Sequence, residues 1–246
     1  MRLLVDMGNS SIKWAILEKE QLSSQQRIPY DSNSLTRAWL ELPVPSQGIW
    51  ISNVAGAEKA EFIKHWIKTH WGFQANFIKS TSYQSGVKNA YYNPEQLGVD
   101  RWLALLAARR LEKGAVCVVD CGTAITLDVL FANGNHQGGL IIPGLTTMRN
   151  ALLSNTDLLV SLNEHVQAHK EQAFLAQDTH SGISSGSLYA VIGLIEYIKN
   201  KFEKQGNPLK LILTGGGVAA LEPFLQKPYR YIPDLVLQGL QTIVNQ

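Results

Sequence analysis

Two short stretches, Asp6-Met-Gly-Asn-Ser10 and Asp120-Cys-Gly-Thr-Ala124, carry the residue types from which a polyphosphate site is built. Gly8 and Gly122 lack a Cβ, so an anion can approach the main chain, and successive N–H groups in such a turn make a concave anion site. Asn9, Ser10 and Thr123 add side-chain donors, and Lys13 adds a fixed positive charge. The carboxylates at the two entrances, Asp6 and Asp120, repel phosphate directly but can hold a cation that bridges to it. A lone Asp-x-Gly is a turn and nothing more. Two copies at lobe spacing point to the phosphates of a nucleotide together with a metal ion.

Three further groups have chemical potential. Thr214-Gly-Gly-Gly217 follows an apolar run, and glycines there let a flat ring or a phosphate lie against main chain. Neither Gly-x-Gly-x-x-Gly nor Gly-x-x-x-x-Gly-Lys-[Ser/Thr] occurs, so Rossmann and P-loop readings lose their anchor. In Gly98-Val-Asp100-Arg101-Trp102 the two charges diverge by about 100 degrees on a helix. Asp100 is either a base for a hydroxyl in a partly dry cleft or half of a solvated surface pair. His165 and His169 stand four apart with no Glu between them and no third ligand, which reads as a polar face rather than zinc. Cys117 and Cys121 share one strand face, too far apart to bridge, and read as buried thiols.

The elements that must position these groups alternate between strand and helix. Leu3 to Gly8 reads as a buried strand entering a tight turn, and Ile12 to Leu17 as its return strand. Helices are expected at Leu35 to Leu42, Glu58 to His70 and Pro94 to about Glu112, with strands at Gly48 to Val54 and Ala75 to Ile78. The second half begins again: strand Ala115 to Asp120, turn, return strand Ile125 to Phe131, strand Gly138 to Ile142 and helix Gly144 to Ser154. A helix from about Ser185 to Lys204, a strand Leu209 to Leu213 and a helix Asp234 to Val244 complete it. A strand, an Asp-x-Gly turn and a second strand, recurring after about 115 residues, indicate one internal duplication rather than a solenoid. We therefore expect an α/β chain of two lobes, 1–113 and 114–246, facing each other across a cleft.

Composition limits the classes. The 246 residues are 45% hydrophobic and 17% charged, an ordinary globular make-up. A net charge of +2 with scattered basic residues announces no nucleic-acid partner. Asp6 interrupts the first apolar run, and no stretch approaches the ~20 apolar residues of a membrane span. The expected setting is the cytoplasm.

Taken in order, Asp6-Met-Gly-Asn-Ser10 with Lys13, Gly98-Val-Asp-Arg101, Asp120-Cys-Gly-Thr-Ala-Ile-Thr126, Gly138-Gly-Leu-Ile-Ile-Pro-Gly144 and Leu213-Thr-Gly-Gly-Gly217 resemble the type III pantothenate kinases. The resemblance implies a duplicated two-lobe actin-like, ribonuclease H-like ATPase fold with mixed sheets and ATP in the cleft between lobes. It implies ATP-dependent phosphorylation of the primary hydroxyl of pantothenate, the first step of coenzyme A biosynthesis. Carried over residue by residue, Asp6, Met7, Gly8, Asn9, Ser10, Ser11, Ile12 and Lys13 would form the first phosphate turn and Thr123 the second. Asp120 would hold a monovalent cation, potassium or ammonium, and Asp6 magnesium, in part through water. Asp100 would be the catalytic base, while Tyr91, Gly98, Val99, Asp100 and Arg101 line the pantothenate pocket. Thr179 would close that pocket from the second copy of a homodimer. The same motifs also occur in an accessory factor for virulence-gene transcription, so a DNA-linked regulator stands as the alternative, with a sugar or acetate kinase of the same fold beside it.

Overall fold

Two sheets repeat one strand order, β3-β2-β1-β5-β6 in the first half and β11-β10-β9-β12-β13 in the second. The computed structural model describes residues 1–154 and 175–245, so His165 and His169 lie outside the described residues. In the first half β1 (Arg2–Met7) and β2 (Ser11–Glu18) are antiparallel, and β3 (Gln21–Leu22) and β4 (Gln26–Pro29) both pair with β2. After α1 (Ser32–Leu40), β5 (Ile49–Asn53) runs parallel to β1, and after α2 (Ala57–Trp71), β6 (Asn76–Phe77) runs parallel to β5. A small hairpin, β7 (Tyr83–Gln84) and β8 (Val87–Lys88), leads to α3 (Val99–Leu111).

The second half restates the pattern. β9 (Val116–Cys121) and β10 (Ala124–Leu130) are antiparallel, and β11 (His136–Pro143) extends them beside β10. Then come α4 (Leu145–Ser154), α5 (Thr179–Lys204) and β12 (Lys210–Thr214), the last parallel to β9. α6 (Val218–Leu221), β13 (Tyr229–Tyr231) beside β12, and α7 (Leu235–Val244) follow. Strand by strand, β1 answers β9, β2 answers β10 and β5 answers β12, with the same relative directions. The duplication inferred from two turns is thus a duplication of whole sheets.

Apolar faces set the layers. On one side of the first sheet, Leu3, Val5, Ile49 and Ile51 pack against α1 and α2, where Trp39 meets Trp66 edge-on at 5.3 Å between ring centroids. On the other, Leu4, Ala15 and Leu17 meet α3 and α7, which also pack on Val116, Val118 and Ile212 of the second sheet. The far face of that sheet is covered by α5 through Val191 and Ile195. The order is helices, sheet, the α3–α7 pair, sheet, helices. Strands buried on both faces read as continuous apolar runs, which is why β1 and β9 stood out in the sequence.

Several boundaries differ from expectation. The Pro94 to Glu112 helix is broken: Pro94–Gln96 is a single 3-10 turn, Leu97 turns extended, and α3 starts at Val99 with Gly98 as its cap. Pro94 does open a helical turn, but Leu97 and Gly98 leave it. α3 is buried along nearly its whole length from Val99 to Ala108. α5 starts at Thr179, six residues before Ser185, because the Asp178 side chain accepts the Ser181 N–H at 2.8 Å and caps it. Cys117 and Cys121 are free and buried as expected. Burial pushes both thiols up to about 12, which leaves them inert.

Candidate active site

The hairpin turns of the two sheets meet at one cavity. Its volume is about 640 Å³, and Asp6, Lys13, Asp100, Asp120 and Thr123 line it together with both glycine turns. Each turn closes on itself: Gly8 N–H donates to the Ser11 carbonyl at 3.2 Å, and Gly122 N–H to that of Ala124 at 3.0 Å. Across the gap, Ser10 Oγ and Thr123 Oγ1 stand 2.6 Å apart. The third glycine turn, Gly215 to Gly217, forms another wall. Gly215 has φ +90, and a Cβ there would run into Asp120 Oδ1 and the Cys121 carbonyl. Glycine is required at that position by both conformation and space.

Strand register explains which charges gather. Asp6 on β1 lies opposite Lys13 on β2, and Lys13 lies opposite Arg27 on β4. Directly opposed residues in an antiparallel ladder point to one face, so the three side chains form a row on the cavity side. Lys13 Nζ is 3.9 Å from Asp6 Oδ2, too long for a strong bond. Asp6 Oδ1 is buried and has no hydrogen-bond partner among the described residues. Burial pushes the Asp6 carboxyl up to about 7, against the pull of Lys13 and with the repulsion of Asp100 and Asp120. Burial likewise pushes Asp120 up to about 6, again opposed by Lys13. Three lining carboxylates face two lining cations, Lys13 and Arg27.

Asp100 sits in the first turn of α3, where the helix dipole favours a negative charge. Its Oδ1 also accepts the Arg101 N–H at 2.8 Å, which again favours the ionised form. Burial outweighs both and holds the carboxyl above its ordinary value. A half-buried carboxyl raised in this way, facing a cavity, has the character of a general base. Gly98 makes room for it, since a Cβ there would lie 2.7 Å from Asp100 Oδ1.

Arg101 turns the other way. Its Nε and Nη2 donate to both oxygens of Asp128 at 2.8 and 2.7 Å, and Nη1 donates to Tyr91 Oη at 2.9 Å. His136 completes the cluster: Nε2 is 2.9 Å from Asp128 Oδ1, and Nδ1 accepts the Ala90 N–H at 3.4 Å. With Nδ1 accepting from Ala90, the hydrogen bond to Asp128 is donated by Nε2. Tyr91 stacks on the His136 ring at 11°. Gly139 on β11 packs so tightly here that a Cβ would strike both Asp128 and Arg101.

Arg101, expected to line the pantothenate pocket, gives the planar donor pair of its guanidinium to Asp128, and two of its five N–H groups remain. Of the other expected site residues, Gly8, Asn9, Ser10 and Ser11 line the cavity with Asp6 and Lys13. Met7 and Ile12 turn into the apolar core, so only their main chain serves the turn. Val99, the first residue of α3, is buried in the core, and Tyr91 packs on the edge of that core. Thr179 is exposed at the start of α5 and is not among the lining residues. Asp128, His136 and Arg27 went unnoticed in the sequence because only strand register and side-chain packing reveal them.

The arrangement resembles known proteins over its whole length. Residues 2–201 match the family model of the type III pantothenate kinases. A type III pantothenate kinase of Nitrosococcus oceani is 40% identical over 256 residues, covering 100% of this chain and 94% of that protein. One from Nitrosomonas eutropha is 34% identical, covering 99% and 94%. Among solved structures, a putative Baf family transcriptional activator from Campylobacter jejuni superposes with a TM-score of 0.61 at 25% identity, covering 99% of this chain and 97% of that one. A putative 2-dehydro-3-deoxygalactonokinase from Sinorhizobium meliloti superposes with the same TM-score, 0.61, at 14% identity, covering 99% of this chain and 97% of that one, a likeness of fold. With the family model spanning most of the chain and relatives aligned along nearly all of it, the chain belongs to the type III pantothenate kinase family.

Proposed function

We propose that the chain transfers the terminal phosphoryl group of ATP to the primary hydroxyl of pantothenate, giving 4'-phosphopantothenate and ADP, the first step of coenzyme A biosynthesis. The observation that carries this reading is the placement of Asp100, a half-buried carboxyl raised above its ordinary value, on the same cavity as both glycine turns. In this reading the N–H groups of the Gly8 and Gly122 turns, the Ser10 and Thr123 hydroxyls and Lys13 hold the phosphates. Asp100 accepts the hydroxyl proton as the oxygen attacks the γ-phosphorus in line. The new O–P bond forms as the bond to the β,γ-bridging oxygen breaks, and ADP leaves with that electron pair.

Pantothenate would lie between Asp100 and the cluster of Tyr91, Gly98, Val99 and Arg101. The two N–H groups of Arg101 not engaged by Asp128 or Tyr91 suit its carboxylate. Thr179 of the partner subunit would close the pocket in a homodimer, in keeping with its exposure at the start of α5. The lobes would be 1–113 and 114–246, and the setting the cytoplasm. Among the described residues no helix is long and apolar enough to cross a membrane.

The residues present fit the cations that the family implies. Asp6 Oδ1, buried and unpartnered, suits magnesium held partly through water, since that ion takes one or two carboxylates and keeps its remaining ligands from water and phosphate. Asp120 Oδ1 and the Cys121 carbonyl converge on Gly215, an oxygen donor set suited to potassium or ammonium. When bound, such cations neutralise phosphate charge that Lys13 alone does not match.

The test is ATP consumption by the purified chain with magnesium and pantothenate, run in potassium and in sodium. Turnover that requires pantothenate and is faster in potassium is expected. No turnover in any cation, with ATP still bound, would overturn the choice of acceptor. The likeness to a putative transcriptional activator favours a second reading, a DNA-linked regulator. That reading requires a salt-dependent shift of DNA without nucleotide turnover.

A further inference from the structure

Arg27 is absent from the phosphate machinery assigned so far, yet it stands on the cavity beside Lys13. It belongs to β4, a four-residue strand paired with β2, and its Cα partner across that ladder is Lys13 itself. Asp6, Lys13 and Arg27 therefore follow one another across three neighbouring strands on one face. The guanidinium is anchored at one end, where Nε donates to Ser11 Oγ at 3.0 Å. At the other end it reaches the opposite wall: Nη1 lies 3.3 Å from where a Cβ on Gly216 would sit. The side chain thus runs from the phosphate turn of the first sheet to the third glycine turn of the second. Ser11, its anchor, is buried, so the start of the guanidinium is fixed even though Arg27 is exposed. Nη1 and Nη2 make no hydrogen bond to the described residues.

We infer that Arg27 is a second phosphate-binding cation of this kinase, closing the polyphosphate chain of ATP between the first glycine turn and Gly216. The inference rests on the nucleotide reading of the cavity and adds a residue to it. The charge balance supports it. Three carboxylates line the cavity, and a nucleotide brings further negative charge, while Lys13 is already drawn towards Asp6. A guanidinium with two free terminal nitrogens presents a planar fork that matches phosphate oxygens, which an ammonium does not. Anchored at Ser11 and reaching towards Gly216, the Arg27 side chain spans the mouth of the phosphate site from one sheet towards the other.

The experiment compares wild type, Arg27→Ala and Arg27→Lys by titration calorimetry with ATP and with adenosine, alongside thermal melting. If Arg27 contacts phosphate, Arg27→Ala weakens ATP binding by about tenfold or more while adenosine binding stays within about twofold. Arg27→Lys recovers part of the loss, because charge returns without the fork. A normally melting Arg27→Ala that binds ATP within about twofold of wild type overturns the inference, as does an equal loss for ATP and adenosine. Wild type that binds no ATP at all overturns the nucleotide reading and this one with it. Wild type that binds ATP without consuming it under pantothenate leaves the comparison of variants fully informative, so the two failures are told apart.

Discussion

Ser10 Oγ and Thr123 Oγ1 touch at 2.6 Å although 113 positions separate them, because each sits in the hairpin turn of its own sheet. The contact joins the two copies of the duplicated turn directly above the cavity. It is a hydroxyl pair at an exposed position, so its net worth lies at the low end of the hydrogen-bond range.

Replacing Ser10 by Ala and Thr123 by Val, singly and together, should reveal a coupling of about 0.5 kcal/mol in the nucleotide-free protein. Urea unfolding of the four proteins measures it. If the hydroxyls turn to phosphate when ATP binds, the coupling disappears at saturating nucleotide, while each single change weakens ATP binding.

Removing the base should separate chemistry from binding. Asp100→Asn keeps an acceptor for the Arg101 N–H, so turnover should fall by ~10²- to 10⁴-fold while ATP affinity holds. Near wild-type turnover in this variant would remove Asp100 from the mechanism. In the wild type the base works only when ionised, and burial raises its carboxyl above the ordinary value of 3.8. The acid limb of the kcat profile is therefore expected at higher pH than an exposed carboxylate would give. The stability sign follows from the same shift. The fold disfavours the ionised form, so the cost is absent below about pH 3.8 and grows as pH rises through the raised folded value. Asp100→Asn should then melt higher than wild type at pH 8, a gain that vanishes towards pH 4.

Asp128 holds Arg101 in place and does not line the cavity. Both partners are nearly fully buried, so Asp128→Ala strands a guanidinium and should cost about 3–5 kcal/mol of stability. Denaturant unfolding reads that loss. Arg101→Met in the same chain should recover much of it, since the stranded charge is gone. For catalysis, Arg101→Ala should raise the KM for pantothenate with little change in that for ATP. An unchanged pantothenate KM would mean that Arg101 serves the fold alone.

Both turns and both hairpins were legible in the sequence because a strand buried on two faces and closed by Asp-x-Gly has few other readings. Asp6, Lys13 and Asp120 could be picked out by charge and spacing alone. Asp100 could not: on residues alone a solvated surface pair was the better reading, only the family resemblance reversed it, and the desolvation of its carboxyl is a product of tertiary packing. The short strands β3, β4, β7, β8 and β13 escaped because runs of two to four residues are too short to show a period. Arg27 escaped with β4, and Asp128 and His136 escaped because a strand pattern gives the face of a residue but not its partner across the layer.

The cation site admits a test that leaves Asp120 intact. Gly215→Ala forces a Cβ towards Asp120 Oδ1 and the Cys121 carbonyl at a backbone angle that suits glycine. A stability cost of about 1–3 kcal/mol is expected from strain alone. If Asp120 serves a monovalent cation, the ratio of turnover in potassium to that in sodium should also fall towards one, as it should in Asp120→Asn. A ratio that survives in both variants would place the cation elsewhere.

The α3–α7 layer has a consequence for how the chain is made. Gly239 of α7 lies so close to α3 that a Cβ would meet the Leu103 carbonyl, and Gln241 bonds both Arg110 and the Glu20 carbonyl, the latter across 221 positions. The inner face of the first sheet is therefore finished by α7, which is made after every strand of the second sheet. At ~5–20 residues per second, α3 and the Leu4 face wait on the order of ten seconds for their cover. In that interval the nascent chain displays the apolar surface that the finished enzyme hides most completely. The yield of folded protein should thus depend on translation speed and chaperone supply more than its final stability suggests.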